Sequence, residues 1–444
     1  MVRNFDIVMY KKILEHIIVP VGDFLTNSPF SKELTFWRKV DQMSEVELQS
    51  LQKKHLKSIL LHAVQNSKKY GSIELKGANP LEWLQQFPVL TKEALRTSSE
   101  DLLTESTAKL TKISSSGSSG ISSSVYMNKN DLASLRAGLI HWWEWYGYRI
   151  GNPIVQTGIS PNRGFIKSLK DLFFRTIYVN AFTHTEEQII NVLKKITKSN
   201  EFVLAGYASS LNVIADIARK YHFEIQLKSV ISLGDKLFSH YKKNIEQTFN
   251  CKVYDTYGSA EGFLIGATYD IDYMYILSPQ CYVEILDDDN NPVPDGTMGN
   301  IVVTRLDGFA MPLIRYRLGD LGMLLPRDKY PLKRKFQYPL LQQIVGRDTD
   351  IVKTHNGGVL VVHSFTGIFE YIPEIKQFKV VQKELTGITI QYIKSKGFTI
   401  SVLEAITKKL QVYIKDETFI ITFQEVKVIA PTKSGKPQII ESLL

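Results

Sequence analysis

The chain has 444 residues, more than one compact core ordinarily holds, so its length predicts two or three domains. Hydrophobic residues make up 44% and charged residues 22%, a globular composition that argues against extensive disorder. Lysine and arginine total 54 against 45 acidic residues, and the net charge of +9 suits anionic partners such as nucleotides. The basic residues are spread along the chain without a dense patch, which argues against a nucleic-acid binder.

The cysteines and the apolar runs bear on where the protein works. Cys251 and Cys281 have neither metal-ligand spacing nor a disulfide framework. The N-terminus mixes charged and apolar residues and lacks the layout of a signal peptide. No uninterrupted apolar stretch reaches the roughly 18 residues of a transmembrane helix. We therefore expect a cytoplasmic protein with no membrane span.

In chain order, residues 1–110 have the pattern of amphipathic helices, as in Val46–Asn66, where leucines recur near helical spacing. After a serine-rich stretch, short apolar runs alternate with segments of helical potential, which predicts a wound α/β sheet. The predicted strands are Ile154–Gly158, Phe202–Gly206, Ser229–Leu233 and Lys252–Tyr254, and the predicted helices are Thr185–Thr197 and Ser209–Tyr221.

From about Tyr282 the pattern becomes strand-rich, with Tyr282–Leu286, a turn and Asn300–Leu306 typical of a hairpin or a small barrel. Beyond Gly346 a mixture of strands and helices predicts a small α+β domain. Its strands are Val359–Val362, Gln377–Gln382, Ile388–Ile393 and Phe419–Val428, and its helices are Phe365–Tyr371 and Ser401–Ile414. The predicted fold is thus a large N-terminal domain, residues 1–345, with wound α/β sheets and a barrel-like part, and an α+β domain, residues 346–444.

The serine-rich stretch Ser114–Ser122 is the first candidate site. Its glycines let backbone amides approach an anion and its hydroxyls add donors, so it suits phosphates. It lacks the Gly-Lys-Ser/Thr ending of a Walker loop and the spacing of a nucleophile elbow. A flexible linker is the alternative interpretation. The candidate phosphate ligands are Ser115, Ser116, Gly117, Ser118, Ser119 and Gly120.

A second motif, Asp255-Thr-Tyr-Gly-Ser-Ala-Glu-Gly262, follows the predicted strand that ends at Tyr254. The tyrosine offers an aromatic face to a purine, and the carboxylate of Glu261 suits magnesium. The alternative is a strand-end turn with a solvated glutamate. The candidate nucleotide contacts are Asp255, Tyr257, Gly258 and Ser259.

Two further motifs contain polar residues that suit a nucleoside. In Met311–Leu321, Asp320 is placed to accept hydrogen bonds from ribose hydroxyls, and a surface Arg–Asp pair is the alternative. In Gly346-Arg-Asp-Thr-Asp350, Arg347 suits a phosphate or ribose, and a plain interdomain turn is the alternative.

The last motif is Pro431-Thr-Lys-Ser-Gly-Lys-Pro437, which presents Lys436 on a loop. A solvated basic loop is the alternative. In this order and spacing, the five motifs resemble those of the adenylate-forming superfamily of acyl-CoA synthetases and adenylation domains. The resemblance runs from about residue 110 to 440. Ala310–Asp320 and Leu204–Leu211 are similar to the phenylacetate–CoA ligase group, and within it to the branch associated with capsule and surface-polysaccharide biosynthesis.

The resemblance implies a role for each motif. Ser115 to Gly120 would hold the β- and γ-phosphates of ATP. Gly234 and Asp235 would lie beside the adenine, and Tyr257 would stack on it. The remaining implied roles are Mg²⁺ for Glu261, ribose for Asp320, ribose or phosphate for Arg347, a hinge near Thr349, and the substrate carboxylate and α-phosphate for Lys436.

The chain departs from the family pattern at three places. The phosphate loop usually continues Gly-Lys-Pro, whereas Gly120 is followed by Ile121 and Ser122. Ala260 replaces a threonine that would be an α-phosphate donor, and Thr349 stands where an aspartate is frequent at the hinge. Each change is expected to slow adenylation. Glu261, Asp320, Arg347 and Lys436 are retained.

The resemblance implies that a carboxylic acid attacks the α-phosphorus of ATP, forms an acyl-adenylate and releases pyrophosphate. The acyl group would then pass to a thiol, on coenzyme A or a phosphopantetheine carrier protein, or to an amine such as an amino sugar. A nucleotidyltransferase that transfers AMP to a protein or sugar is one alternative, and a noncatalytic nucleotide-binding subunit is another.

Two other segments are candidates for substrate contact. His141-Trp-Trp-Glu-Trp-Tyr146 suits an acyl-pocket wall, with a role in the core as the alternative. A basic cluster suits an acidic substrate, a phosphopantetheine carrier or coenzyme A, with a solvated basic helix as the alternative. The cluster comprises Arg163, Lys167, Lys170 and Arg175.

Overall fold

The structure is a computed structural model in which residues 9–114, 124–158, 171–181, 185–347, 351–369, 371–414, 416–430 and 439–444 are described. Helices dominate the first hundred residues, as predicted. The bounds are a π-helical turn, Leu14–Ile18, and the α-helices Val19–Thr26, Phe30–Val40, Glu45–Asn66, Pro80–Leu84 and Lys92–Thr97. Strands β1 (Thr111–Ser114) and β2 (Ser124–Met127) follow as an antiparallel pair.

Local sequence explains the longest of these helices. Ser44 caps Glu45–Asn66 through its side chain, which accepts from the Glu47 amide, while the Glu47 carboxylate accepts from the Ser44 amide at 2.7 Å. This reciprocal pair satisfies two amides that have no partner inside the helix. The helix predicted at Val46–Asn66 is therefore confirmed, with one more residue at its start.

In the described part of the chain, eleven strands form one large sheet. Its strands β4, β3, β5, β6 and β7 run parallel, and from β7 onward neighbouring strands are antiparallel. The strands are β3 (Ile154–Gly158), β4 (Thr176–Asn180), β5 (Val203–Tyr207), β6 (Ser229–Leu233), β7 (Val253–Ser259), β8 (Phe263–Ala267), β9 (Met274–Ile276), β10 (Cys281–Leu286), β11 (Gly299–Arg305), β12 (Tyr316–Leu324) and β13 (Leu340–Arg347).

The sheet is covered by amphipathic helices whose buried faces pack on the parallel half. Thr185 caps Glu186–Ile196 through its side chain, and Ile189, Leu193 and Ile196 of that helix are fully buried. The other helices around this half are Lys129–Trp145, Ala208–Lys220 and Ser239–Phe249. The alternation of strand and helix predicted for this half is confirmed.

Beyond residue 350 the described chain forms separate sheets with a hydrophobic cluster of their own, against which Phe238 also packs. Strands β14 (Ile351–Lys353) and β15 (Val359–Val361) pair with each other. A second sheet contains β16 (Ile375–Glu384), β17 (Gly387–Lys394), β18 (Ile420–Glu425) and β19 (Ile440–Ser442), and the helices are Val362–Phe369 and Ile400–Ile414. The predicted mixture of α/β and α+β structure is confirmed.

The structure corrects several predicted bounds. The strand predicted at Lys252–Tyr254 continues to Ser259, so the tyrosine–glycine pair at 257–258 lies within a strand instead of after one. The strand predicted to reach Val428 ends at Glu425, and the helix predicted to start at Phe365 starts at Val362. Among the described residues, no helix is both long and apolar enough to span a bilayer.

Candidate active site

Tyr257 on β7 and Asp320 on β12 meet although three strands lie between theirs in the sheet order. The phenol of Tyr257 donates to Oδ2 of Asp320 at 2.7 Å. Burial raises the pKa of Tyr257 well above its usual value, and the neighbouring charge of Asp320 adds to the shift. The phenol therefore stays protonated and remains a donor to the carboxylate.

Arg347 is the third member of this cluster. Asp320 on β12 and Arg347 on β13 are partners in the antiparallel register, so their side chains leave the sheet on the same face. The charge of Arg347 also acts on Tyr257, where it partly offsets the rise in pKa. An aromatic ring, a carboxylate and a guanidinium therefore converge from three separate motifs.

Glu261 is held by a second tyrosine. Its side chain is buried, at 7% exposure, and its Oε1 accepts from the phenol of Tyr316 at 3.1 Å. Tyr316 is itself fully buried and stacks on Phe263 with ring centroids 5.9 Å apart. Burying a carboxylate costs free energy unless it is hydrogen-bonded. The hydrogen bond from Tyr316 therefore stabilises the buried position of Glu261.

The turn around Glu261 depends on its glycines. A Cβ at Gly258 would lie 2.5 Å from the carbonyl oxygen of Phe263, and Gly262 has a φ of +88°. A Cβ at Gly262 would also meet the guanidinium of Arg305, which is buried beside it. Only glycine fits both positions without rearrangement.

Ser259 contributes a hydroxyl at the same turn. Its Oγ is buried and has no hydrogen-bond partner among the described residues. Buried polar atoms without partners are uncommon in folded proteins. A ligand seated over β7 would give this hydroxyl a partner.

Gly234 and Asp235 follow β6 and have structural partners. The carboxylate of Asp235 accepts from the amides of Ala208 and Ser209, so it caps the Ala208–Lys220 helix. Gly234 has a φ of +80°, and a Cβ there would lie 2.5 Å from the ring of Tyr207. The carboxylate is thus engaged by the helix, and the contact predicted with adenine stays a prediction.

Asp255 begins the same motif as Tyr257 and pairs with Ser232 across β6 and β7. Its Oδ1 accepts from the Ser232 hydroxyl at 2.9 Å. Burial, with a contribution from the charge of Asp235, raises the pKa of Asp255 to about 7. This carboxyl therefore lies at the base of the motif and titrates near neutral pH.

Lys236 is a site residue that the sequence did not indicate. Its ammonium donates to the carbonyl of Val345, two residues before Arg347, at 3.3 Å. Burial lowers the pKa of Lys236, and the charge of Asp255 partly offsets this. The one available signal was its position directly after Gly234 and Asp235.

Tyr316 was overlooked for a different reason. It lies within the third motif, but strand β12 was not predicted there. The register between β11 and β12 shifts between Arg317 and Leu321, so simple alternation along β12 does not relate Tyr316 to Asp320. The hydrogen bond to Glu261 is what identifies Tyr316 as a site residue.

Three sets of predicted site residues lie outside the described residues: Ser115, Ser116, Gly117, Ser118, Ser119 and Gly120 of the serine loop, Thr349, and Lys436. The strands on either side of the serine loop are described, and Ser114 pairs with Ser124. Met127 at the end of β2 contacts the guanidinium of Arg305 through its sulfur. A Cβ on Gly262 would meet the same methionine, so β2 ends beside the turn of Glu261.

The two other candidate segments have different outcomes. Trp142, Trp143 and Trp145 lie in the hydrophobic core, with at most 9% exposure, which supports the core interpretation. The carboxylate of Glu144 accepts a hydrogen bond from Nε of Arg38 at 2.8 Å. Of the basic cluster, Arg163, Lys167 and Lys170 lie outside the described residues, and Arg175 has a φ of +54°.

No protein-family model matches the chain. Among curated proteins, it is 22% identical to protein CapK from Staphylococcus aureus over 402 residues, covering 86% of each chain. It is 26% identical to phenylacetate-coenzyme A ligase from Escherichia coli (strain K12) over 343 residues, or 70% of this chain and 74% of the ligase.

Among solved structures, the chain matches 2-hydroxyisobutyryl-CoA ligase in its postadenylation state with a TM-score of 0.73 and 19% identity. The match covers 91% of each chain, and at this identity it establishes the fold alone. With the sequence relatives, it confirms the resemblance that the motifs predicted, to the adenylate-forming superfamily and the phenylacetate–CoA ligase group.

Proposed function

We propose that this relative of the phenylacetate–CoA ligases, with the fold of the adenylate-forming superfamily, is an AMP-forming carboxylate ligase. It activates a carboxylic acid with ATP as an acyl-adenylate, releases pyrophosphate and passes the acyl group to a thiol. One observation carries the proposal: two hydrogen bonds, Tyr257–Asp320 and Tyr316–Glu261, join the second and third motifs into one cluster. In each bond a carboxylate with a predicted role, ribose for Asp320 and Mg²⁺ for Glu261, accepts from a tyrosine of the other motif.

The nucleoside is held by this cluster. Asp320 accepts from ribose hydroxyls, and the hydrogen bond from Tyr257 fixes the carboxylate while the ring offers a face to the adenine. Arg347, the cross-strand partner of Asp320, adds a cation for ribose or phosphate. Lys236, whose ammonium donates to the carbonyl of Val345 two residues before Arg347, adds a second positive charge near this strand.

Magnesium fits the chemistry of Glu261. The described residues contain no group of three or more His, Cys, Asp or Glu side chains that would enclose a metal ion. Mg²⁺ is commonly bound by one or two carboxylates together with substrate phosphates and waters, which suits a single buried glutamate. When bound, the ion would neutralise charge on the phosphates of ATP. Tyr316 orients the carboxylate that holds it.

The remaining roles rest on the family resemblance. Ser115 to Gly120 hold the β- and γ-phosphates, and β2 after that loop ends beside Glu261. Residues 346–444 form a lid that turns near Thr349 and brings Lys436 to the substrate carboxylate and the α-phosphate. Both reactants are anions, so a cation at this point lowers the barrier by neutralising charge as it builds up.

The acyl acceptor is a thiol, and coenzyme A is our first choice because phenylacetate-coenzyme A ligase is among the relatives. A phosphopantetheine carrier and an amine are the other acceptors to test. We further propose that the reaction serves surface-polysaccharide biosynthesis in the cytoplasm, and the resemblance to the capsule branch supports this role.

A pyrophosphate-exchange screen over amino, aryl and hydroxy acids tests the proposal. We expect ATP–pyrophosphate exchange with one class of acid, and AMP release that requires coenzyme A or another thiol. ATP binding without exchange for any acid would instead indicate a noncatalytic subunit, which the alanine at position 260 favours. AMP attached to a protein or sugar would indicate a nucleotidyltransferase.

A further inference from the structure

The N-terminal helical segment, residues 9–26, leaves a row of large apolar side chains exposed. They recur at intervals of mostly three or four residues, so they follow one side of the helix. Phe24 and Leu25 at its end are the most exposed, at 86% and 76%. This row, hereafter the apolar stripe, consists of Met9, Ile13, Ile17, Ile18, Val21, Phe24 and Leu25.

The opposite side of the helix is packed against the protein. Leu14 is fully buried, and Tyr10 and Val19 pack on the same hydrophobic cluster. The phenol of Tyr10 donates to the carbonyl of Phe173, and the ammonium of Lys11 lies 3.2 Å from a carboxylate oxygen of Glu201. The helix is therefore fixed to the body with the stripe directed away from it.

The stripe is large for a surface feature of a monomer. A segment of 18 residues is about 27 Å long at 1.5 Å per residue. The combined exposed area of its seven side chains matches or exceeds that of the largest apolar patch on a typical monomer, about 300–600 Å². Leu172 and Phe173, next to Tyr10, are exposed as well, at 74% and 48%. Patches of this size mark interaction surfaces.

The charges on this helix favour an anionic surface. Its two carboxylates are engaged within the protein: Glu15 pairs with Arg38, and Asp23 accepts from the Ser31 amide at 2.7 Å. Lys12 and His16 are exposed and lie one helical turn apart beside the stripe. Outward charge is thus basic, and apolar residues flanked by basic ones are typical of helices that lie in a membrane interface.

A second copy of the chain fits this face less well. A twofold interface through the stripe would bring the same helix of both copies together. Both Lys12 side chains would then lie in or near that interface, while the carboxylates of the helix are already bound elsewhere. Headgroups of anionic lipid supply the missing negative charge.

We propose that the chain binds the surface of anionic lipid bilayers through the apolar stripe. The helix lies in the plane of the interface, Phe24 and Leu25 enter the boundary between headgroups and acyl chains, and Lys12 contacts the headgroups. The attachment is peripheral and independent of the proposed catalytic function.

Vesicle co-sedimentation with the full-length protein tests this proposal. We expect binding to phosphatidylcholine vesicles that contain phosphatidylglycerol, and weaker binding to phosphatidylcholine alone or at high salt. The double variant Phe24→Ser, Leu25→Ser should lower the partition coefficient at least tenfold. Both side chains are exposed, so the fold should be retained, which circular dichroism checks.

Leu332→Ser is the matched control, because Leu332 is fully exposed but lies outside the stripe. Its binding should equal that of the wild type, while Lys12→Gln should reduce the preference for phosphatidylglycerol. Absence of wild-type binding to the anionic vesicles would overturn the proposal, and so would an equal loss in the control. A dimer that the double variant converts to monomer, without vesicle binding by the wild type, would identify a second copy as the occupant.

Discussion

The phenolic oxygen of Tyr257 lies 2.7 Å from Oδ2 of Asp320, a residue 63 positions later in the chain. A parallel bond of 3.1 Å joins Tyr316 to Glu261, so each motif supplies one tyrosine and one carboxylate. Both pairs lie on or beside β7, where the parallel half of the sheet meets the antiparallel half. The fold thus places two short motifs, each ambiguous alone, in one polar cluster.

Replacing Asp320 with asparagine tests the ribose contact. The substitution keeps the size and removes the charge that Tyr257 and the ribose hydroxyls share. Hydrogen bonds to charged groups contribute about 1.5–3 kcal/mol, so we expect the KM for ATP to rise roughly tenfold to a hundredfold. Tyr275→Phe is the control, because it removes a tyrosine–aspartate bond of 2.7 Å outside the motifs. An unchanged KM for ATP in the Asp320 variant would contradict the assignment.

Replacing Tyr316 with phenylalanine tests whether the phenol positions Glu261. The variant keeps the ring on Phe263 and removes the donor to the buried carboxylate. Partners of metal-binding groups typically affect metal affinity about tenfold or more, so half-saturation by Mg²⁺ should rise about tenfold. The KM for the acid should change little.

Tyr338→Phe provides the comparison for this variant. Its phenol donates to Asp41 at 2.9 Å, and it is as buried as Tyr316. Both variants should lose about 1 kcal/mol of unfolding free energy, but only Tyr316→Phe should change the Mg²⁺ requirement. Equal Mg²⁺ dependence in the two would reduce Tyr316 to a structural role.

Much of the fold was predictable because local patterns dominate in its parallel half. The runs at Ile154–Gly158 and Ser229–Leu233 are segments of strand length rich in β-branched residues, and both strands have those bounds. Buried parallel strands require such runs, since both faces are covered by helices.

Strands β12 and β13 were not predicted, and the site was incomplete as a result. β12 contains Arg317, Gly319 and Asp320, residues that weaken a strand pattern, and two register shifts interrupt its pairing with β13. Its position is determined by neighbours distant in sequence, which no local pattern reveals. The pairs Tyr257–Asp320 and Tyr316–Glu261 depend on that placement.

Lys436→Ala tests the proposed catalytic cation. Lys436 lies outside the described residues, so its role rests on the motif and on the charge that builds up between two anions. Removing one well-placed electrostatic donor typically costs about 10²–10³ in rate, and pyrophosphate exchange should fall by that factor. Lys433→Ala in the same sequence motif is the control and should retain exchange. Turnover like that of the wild type in the Lys436 variant would remove it from the chemistry.

Asp255→Asn tests the half-buried carboxyl at the base of the motif. Burial raises the pKa of Asp255 to about 7, whereas the unfolded chain titrates near its ordinary value of 3.8. Between about pH 4 and 7 the folded protein therefore holds a proton that the unfolded chain has lost, so this carboxyl lowers stability progressively as the pH rises. Well above pH 7 the carboxyl is ionised in both states, so the stability no longer changes with pH through this group.

The asparagine cannot ionise but still accepts from the Ser232 hydroxyl. The difference in unfolding free energy, variant minus wild type, should increase from pH 5 to pH 8 by on the order of 1 kcal/mol or more. Urea unfolding at the two pH values measures this difference directly. Asp289→Asn, at an exposed turn, should show no such difference. The same difference in unfolding free energy between variant and wild type at both pH values would contradict this prediction. It would mean that Asp255 is ionised at both, and that the hydrogen bond from Ser232 offsets the free-energy cost of burying the charge.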